Sequence, residues 1–196
     1  MKNMSADQAL ELLRTGNERF VAQKRIFPNQ STERRSQLVL GQQPFAVVLG
    51  CSDSRVPPEI IFDQGIGDLF VIRVAGNIID DAVIGSMEYA VDHLHVNLIL
   101  VLGHQKCGAV EATVKGGEPH GHVVSLVAAI KPAVEKAKGL QGDILDNSIR
   151  LHMESLVEQL RLTKPVISEG VKTGQVRVEG GYYHLDSGRV EILSIK

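Results

Sequence analysis

Leu10, Leu13, Phe20 and Val21 recur at helical spacing as far as about Gln23. Ser5 precedes them with Gln8 three residues on, the capping-box signature of a helix start. Residues 24–43 are polar, broken by Pro28, Asn29 and Ser31, with a short apolar patch at Leu38 and Leu40. This stretch reads as an arm lying on another surface, a partner subunit being one candidate. From residue 45 the pattern changes to short unbroken apolar runs at 45–50, 69–74 and 98–102. Such runs predict strands of a parallel sheet covered on both faces. Helical patterns lie between and after them, at 58–62, 81–93, 110–115, 123–138 and 147–162. The β-α-β-α-β-α order predicts an α/β fold with right-handed crossovers. Residues 175–179 and 190–193 read as a β-hairpin, or as one strand and an extension, with Asp186-Ser187-Gly188 as the turn. The expectation is a single domain over residues 1–196, a mostly parallel sheet of four to five strands flanked by helices. Residues 1–40 form its N-terminal helical arm, expected to pack on a partner subunit.

Composition narrows the function mainly by exclusion. Hydrophobic residues make up 43% and charged residues 22%, an ordinary globular balance. The net charge is −2, aromatics are only 4%, and there is no basic run, which argues against a nucleic-acid surface. No stretch of roughly 18 apolar residues predicts a membrane span. The N-terminus carries no apolar signal core, so a cytoplasmic location is the default expectation. The partners expected are small molecules or another copy of the chain.

Two polar clusters stand where predicted strands end, the place where open α/β sheets bind ligands. Cys51-Ser52-Asp53-Ser54-Arg55 follows the first strand, and Gly103-His104-Gln105-Lys106-Cys107-Gly108 follows the third. If those strands are neighbours, both clusters converge on one crevice. Together they use both cysteines of the chain. Zinc takes thiolate, imidazole and carboxylate in tetrahedral geometry, and Cys51, His104 and Cys107 offer three ligands with a fourth position free for water. Asp53 could fill that position, or it could pair with Arg55 through a bidentate ion pair. The choice decides whether water can reach the metal. A disulfide or a thiol switch is the competing use of Cys51 and Cys107, but a switch has no need of Asp53 and Arg55. Gly65-x-Gly67 and Gly116-Gly117 lack the full spacing of a phosphate-binding loop.

These motifs, with Val56-Pro57 and Arg73-Val74-Ala75-Gly76-Asn77, occur in an order and at a spacing that resemble the β-class carbonic anhydrases. The likeness continues through residues 121–126 and 183–193 and so spans nearly the whole chain. It implies an α/β fold and a homodimer, in some members built up to tetramers or larger, with the N-terminal arm crossing the partner. It also implies reversible hydration of carbon dioxide to bicarbonate by a zinc-held hydroxide, with one zinc per chain on Cys51, His104 and Cys107. Asp53 and Arg55 match the dyad that orients the nucleophile. Gln42, Phe70, Tyr89 and Gly108 match substrate-pocket positions, in a pocket built from both subunits. Val48 stands where some members with a closed, inhibited site carry tryptophan, so the chain resembles the plant-like, open subgroup, with Asp53 on Arg55 and a metal ligand only in a closed state. Carbon disulfide or carbonyl sulfide remain alternative substrates that the ligand residues do not distinguish. Arg73 and Asn77 are expected to brace the site loops or the dimer. The remaining histidines, His93, His95, His120, His122, His152 and His184, are read as surface or structural residues, with no proton shuttle evident among them.

Overall fold

The computed structural model describes residues 4–193 and 195. Helix α1, Ala6–Val21, starts at the predicted capping box: the Gln8 N–H donates to Ser5 Oγ at 3.2 Å, and the Ser5 N–H donates to Gln8 Oε1 at 3.0 Å. Helix α2 is Thr32–Leu38, followed by strand β1 at Ala46–Gly50, helix α3 at Pro58–Ile61 and strand β2 at Leu69–Arg73. Then come a 3-10 turn at Ala75–Asn77, helix α4 at Asp81–Asp92, strand β3 at Leu98–His104 and helix α5 at Gly108–Lys115. Helices α6 (Val123–Ala137), α7 (Ile144–Leu162) and α8 (Val166–Lys172) precede the hairpin of β4 (Arg177–Tyr183) and β5 (Val190–Leu193).

The five strands lie in the order β2-β1-β3-β4-β5, parallel except for the antiparallel β4–β5 pair. All residues of β1 and β3 are buried, which is why their sequence reads as unbroken apolar runs. Successive side chains still divide between two cores. Val47, Leu49, Ile99 and Val101 face one that includes residues of α4, α6, α7 and α8. Ala46, Val48, Leu98, Leu100 and Leu102 face the other, beneath α1 and α3.

The structure departs from the sequence expectations at several elements; strand β4, read as residues 175–179, runs over Arg177–Tyr183 alongside β3. Strand β3 runs through Gly103 and His104, which pair with Tyr182 and Tyr183 although the apolar run ends at Leu102. Glycine is required at 103 because a Cβ there would lie 2.4 Å from Met153 Sδ. Helix α7 starts at Ile144, because Asp143 caps it by accepting the Asp146 N–H at 2.7 Å. Helix α8 is short and interrupted by Gly170, too brief to leave a periodic signal. The polar stretch after α1 contains α2, which is capped by Ser31 and buries no residue of its own.

Two acidic residues with little exposure hold that stretch to its own chain. Asp63 accepts the N–H groups of Ile26 and Phe27, each at 3.1 Å, and Arg19 Nε at 2.7 Å. Arg19 and these backbone donors keep its carboxyl below the usual carboxylate range against the cost of burial. Asp68 accepts Asn29 Nδ2, Arg34 Nη2 and the Gly65 N–H. Helix α1 also lies on its own sheet, burying Ala9, Leu13, Gly16 and Asn17.

Gly16 permits that close approach, since a Cβ there would fall 1.8 Å from the Phe62 carbonyl oxygen. Helix propensity alone favours Gly16→Ala by ~1 kcal/mol. The clash is with backbone and outweighs it, so the variant is expected to lose about 1–3 kcal/mol in urea unfolding. A stabilised variant would show that α1 does not rest on Phe62.

Candidate metal centre

The strand order places the chemistry. From β1 the chain crosses to β2 on one side, and β3 then returns to the other side of β1. The carboxyl ends of β1 and β3 therefore border the crevice of a topological switch point. Cys51 leaves β1 one residue after Gly50, which pairs with Leu102, and His104 ends β3. Cys107 caps the N-terminus of α5, where free backbone N–H groups favour a thiolate.

The sulfur atoms of Cys51 and Cys107 and a ring nitrogen of His104 all lie within 4.8 Å of one another, and all three residues are buried. His104 Nδ1 lies 2.9 Å from the Gln105 carbonyl oxygen. A carbonyl only accepts, so Nδ1 carries the proton and Nε2 presents its lone pair. Nε2 is buried and has no hydrogen-bond partner. Such an orphaned acceptor costs free energy unless something fills its place. The two cysteines are free thiols. The Cys107 thiol beside it, with His104 and the Gly76 N–H at 3.4 Å, pulls Cys51 well below the ordinary thiol range. The Cys51 thiolate and burial push Cys107 up. Two sulfurs and an imidazole lone pair suit a thiophilic divalent metal, which makes both thiolates stable.

Asp53 stands beside this cluster, its Oδ2 3.9 Å from His104 Nε2. Both its oxygens are engaged by Arg55, with Nε to Oδ1 at 2.9 Å and Nη2 to Oδ2 at 2.7 Å. Arg55 lowers the Asp53 carboxyl to about 2. Arg55 Nη2 also donates to the Lys106 carbonyl at 3.2 Å, tying the two ligand loops together. Arg73 closes the first loop by donating to the carbonyls of Cys51 at 2.9 Å and Asp53 at 2.6 Å. The Asn77 amide donates to the carbonyls of Leu49 at 3.1 Å and Leu102 at 2.8 Å, pinning β1 to β3 just below the ligands. Both residues thus brace the site, as their positions in the sequence suggest.

The pocket residues divide. Gly108 opens α5 next to Cys107, and the direction its Cβ would take is open space. Gln42 lies before β1, at the end of that strand opposite Cys51, exposed in a groove of about 400 Å3 with Arg34, Gln37 and Leu40. Phe70 pairs with Val47, three residues short of Gly50. At ~3.3 Å per residue it sits about 10 Å below the carboxyl edge of the sheet. Its ring lies 6.2 Å from that of Tyr89. One chain therefore does not bring Gln42, Phe70 and Tyr89 to the carboxyl edge where its own Cys51 and His104 lie.

Sequence reasoning named two further supporting residues, Gly76 within its motif and His152 as surface or structural, without giving either a role at the site. Gly76 has φ +70°, and a Cβ there would meet Ile130 Cδ1 at 2.7 Å. His152, on α7, is 4% exposed and its Nε2 lies 2.8 Å from the Gly76 carbonyl oxygen. Its only sequence signal is a histidine within the buried stripe of α7.

Comparison with known proteins agrees with this geometry. Residues 46–190 match the family model described as carbonic anhydrase. A carbonic anhydrase of Mycolicibacterium smegmatis is 44% identical over 99% of this chain and 96% of its own length. Carbonic anhydrase 2 of Mycobacterium tuberculosis is also 44% identical, over 96% of this chain and 93% of its own length. A Coccomyxa β-carbonic anhydrase, solved in complex with acetazolamide, superposes with a TM-score of 0.74 at 28% identity, covering 94% of this chain and 84% of that one. Tetrameric β-carbonic anhydrases of Sordaria macrospora give a TM-score of 0.73 at 28% identity, covering 82% of this chain and 85% of that one.

Burial lowers the affinity of His152 for a proton in the fold. The unfolded chain takes up that proton below about pH 6.5. The unfolded state then binds more protons, so this contribution to stability holds above pH 6.5 and is lost as pH falls below it. In urea unfolding of the metal-loaded protein, His152→Gln is expected to show a shallower loss of stability between pH 6.5 and 5 than the wild type. Equal slopes would mean that His152 is protonated in the fold.

Proposed function

The chain belongs to the β-carbonic anhydrase family and catalyses the reversible hydration of carbon dioxide; on that premise we propose that Cys51, His104 and Cys107 hold one zinc ion and that Asp53, kept on Arg55, orients the nucleophile. The observation that carries this reading is the buried, partnerless Nε2 of His104 facing two thiols, beside a carboxylate whose oxygens are both taken by Arg55. Bound zinc supplies acidity, lowering the pKa of a coordinated water so that hydroxide is available near neutral pH.

The chain's own residues do the rest. With both oxygens on Arg55, Asp53 leaves a position facing the ligands open, which supports the plant-like, open-site assignment. Held at about 2, Asp53 stays ionised through the working range and accepts a hydrogen bond without drawing the proton away. The rise in rate that we expect through mildly alkaline pH therefore does not report its titration. Gly108 leaves room for substrate beside Cys107. Gln42 donates its amide to an oxygen of the forming bicarbonate, as an oxyanion donor does. Phe70 and Tyr89 give carbon dioxide an apolar wall.

Those three residues reach the reacting atoms in a homodimer, with larger assemblies built from it. Val39 and Leu40 are 82% and 96% exposed, and Tyr89 is 47% exposed, a degree of exposure that suits apolar groups awaiting a second copy. Strand β2 is an edge strand next to this surface. No described helix is long and apolar enough to cross a membrane. A cytoplasmic setting would keep Cys51 and Cys107 reduced and ready for metal.

Stopped-flow hydration of carbon dioxide by the zinc-loaded enzyme tests the reading. Asp53→Ala is expected to retain one zinc per chain while kcat/KM falls about 10²–10³-fold. Activity within threefold of wild type would remove Asp53 from the mechanism. For the assembly, Leu40→Glu is expected to weaken dimerisation in sedimentation velocity, and to cut activity in proportion to the monomer formed. A fully active monomer would sink the shared pocket.

A further inference from the structure

Helix α7 buries Ser148, Ile149, His152, Met153, Leu156, Val157 and Leu160 on one face. A histidine in the middle of such a stripe is costly to bury unless its ring is hydrogen-bonded. Its Nε2 partner at 2.8 Å is the Gly76 carbonyl, which can only accept, so the neutral ring donates from Nε2. Gly76 is the residue whose N–H donates to Cys51 Sγ. The next residue, Asn77, holds the carbonyls of Leu49 and Leu102 at the ends of β1 and β3. The peptide linking Gly76 to Asn77 is thus gripped from α7 on one side and from the sheet on the other. Gly76 sits at φ +70° and Asn77 at φ +57°, left-handed conformations that a β-branched or bulky residue rarely adopts. Its aim is fixed by its partners.

We propose that His152 is a positioning residue of the metal centre: through the Gly76 carbonyl it fixes the Gly76–Asn77 peptide, and with it the setting of the Gly76 N–H in the adjoining Ala75–Gly76 peptide, which holds and partly neutralises the Cys51 thiolate. This rests on the reading of Cys51, His104 and Cys107 as metal ligands. Outer partners of metal ligands typically change metal affinity 10–100-fold when removed. An N–H donor at sulfur also draws charge from the thiolate, so its loss makes the sulfur a stronger donor and shifts sulfur-to-metal charge transfer to lower energy.

The test uses the full chain loaded with cobalt(II), and metal affinity measured by chelator competition. Wild type comes first: if it fails to bind one cobalt with thiolate charge transfer, the metal-centre reading itself fails. If it loads, His152→Leu, which cannot donate, is expected to bind 10–100-fold more weakly with a red-shifted charge-transfer band. His152→Gln, whose amide can donate to the same carbonyl, is expected to stay within about threefold of wild type in affinity, with the wild-type band. Equal losses in both variants, or an unchanged band in His152→Leu, would reduce His152 to packing. A measurement on wild type covers the case in which His152→Leu does not fold. In cadmium-113-loaded protein, the Gly76 amide proton is expected to show scalar coupling to the metal through Cys51 sulfur. Absence of that coupling would overturn the proposal.

Discussion

The site depends on β1 and β3 being adjacent and parallel. These strands are separated in sequence by β2 and α4, so nothing local brings Cys51 near His104. The pairing of Val47–Gly50 with Ile99–Leu102 does so, and the Asn77 side chain fastens the end of that pairing by donating across both strands. Each carbonyl at the end of a parallel strand needs a donor where the ladder stops. One amide meets two of these needs at the point where the ligand loops depart. The ligands therefore stand on strand ends and a helix start, elements stiffer than a free loop.

The electrostatics follow from that gathering. Two thiols and an imidazole enclosed in a core are a poor resting arrangement, with Cys51 pulled down, Cys107 pushed up and the imidazole lone pair unmet. The surrounding residues supply partial compensation without closing the site. Arg55 and Arg73 grip carbonyls of the ligand loops, and Arg55 also takes both oxygens of the one nearby carboxylate. Arg55 is half exposed, so as a surface pair it is worth little to stability. Its effect is directional: it keeps Asp53 ionised and holds both carboxylate oxygens on the guanidinium at the edge of the cluster.

Much of this was legible in the chain. The two central strands are buried on both faces and therefore wrote themselves as apolar runs. Cys51, Asp53, Arg55, His104 and Cys107 stood out because their residue types suit metal chemistry and follow predicted strand ends, and the fold does bring them together. The supporting residues did not. Gly76 matters through a backbone angle and an N–H, and His152 through one contact 76 residues away. Neither leaves a local pattern. The segment containing α2 read as a polar arm lying on another surface because α2 buries nothing, and it is held to its own chain by Asp63 and Asp68, acids of a later loop that looks merely polar. Residues 1–3, 194 and 196 lie outside the described residues.

The spacer between His104 and Cys107, Gln105-Lys106, is polar, and the fold gives Gln105 a use. Its backbone N–H donates to the Tyr183 carbonyl, and its side-chain oxygen accepts the Leu185 N–H at 3.1 Å. The metal loop is thereby tied to the β4–β5 turn. That turn is itself held by α1, since Asn17, 4% exposed, donates to the carbonyls of Gly188 and Ile61 and accepts the Val190 N–H. Lys106, at φ +53°, then turns the chain back so that its carbonyl meets Arg55. A left-handed non-glycine residue costs on the order of 1–3 kcal/mol and persists only where its surroundings determine it. Here they do, with Gln105 fixed on one side and Arg55 on the other. The N-terminal helix, the terminal hairpin and the metal loop are consequently joined by hydrogen bonds, although they share no sequence motif.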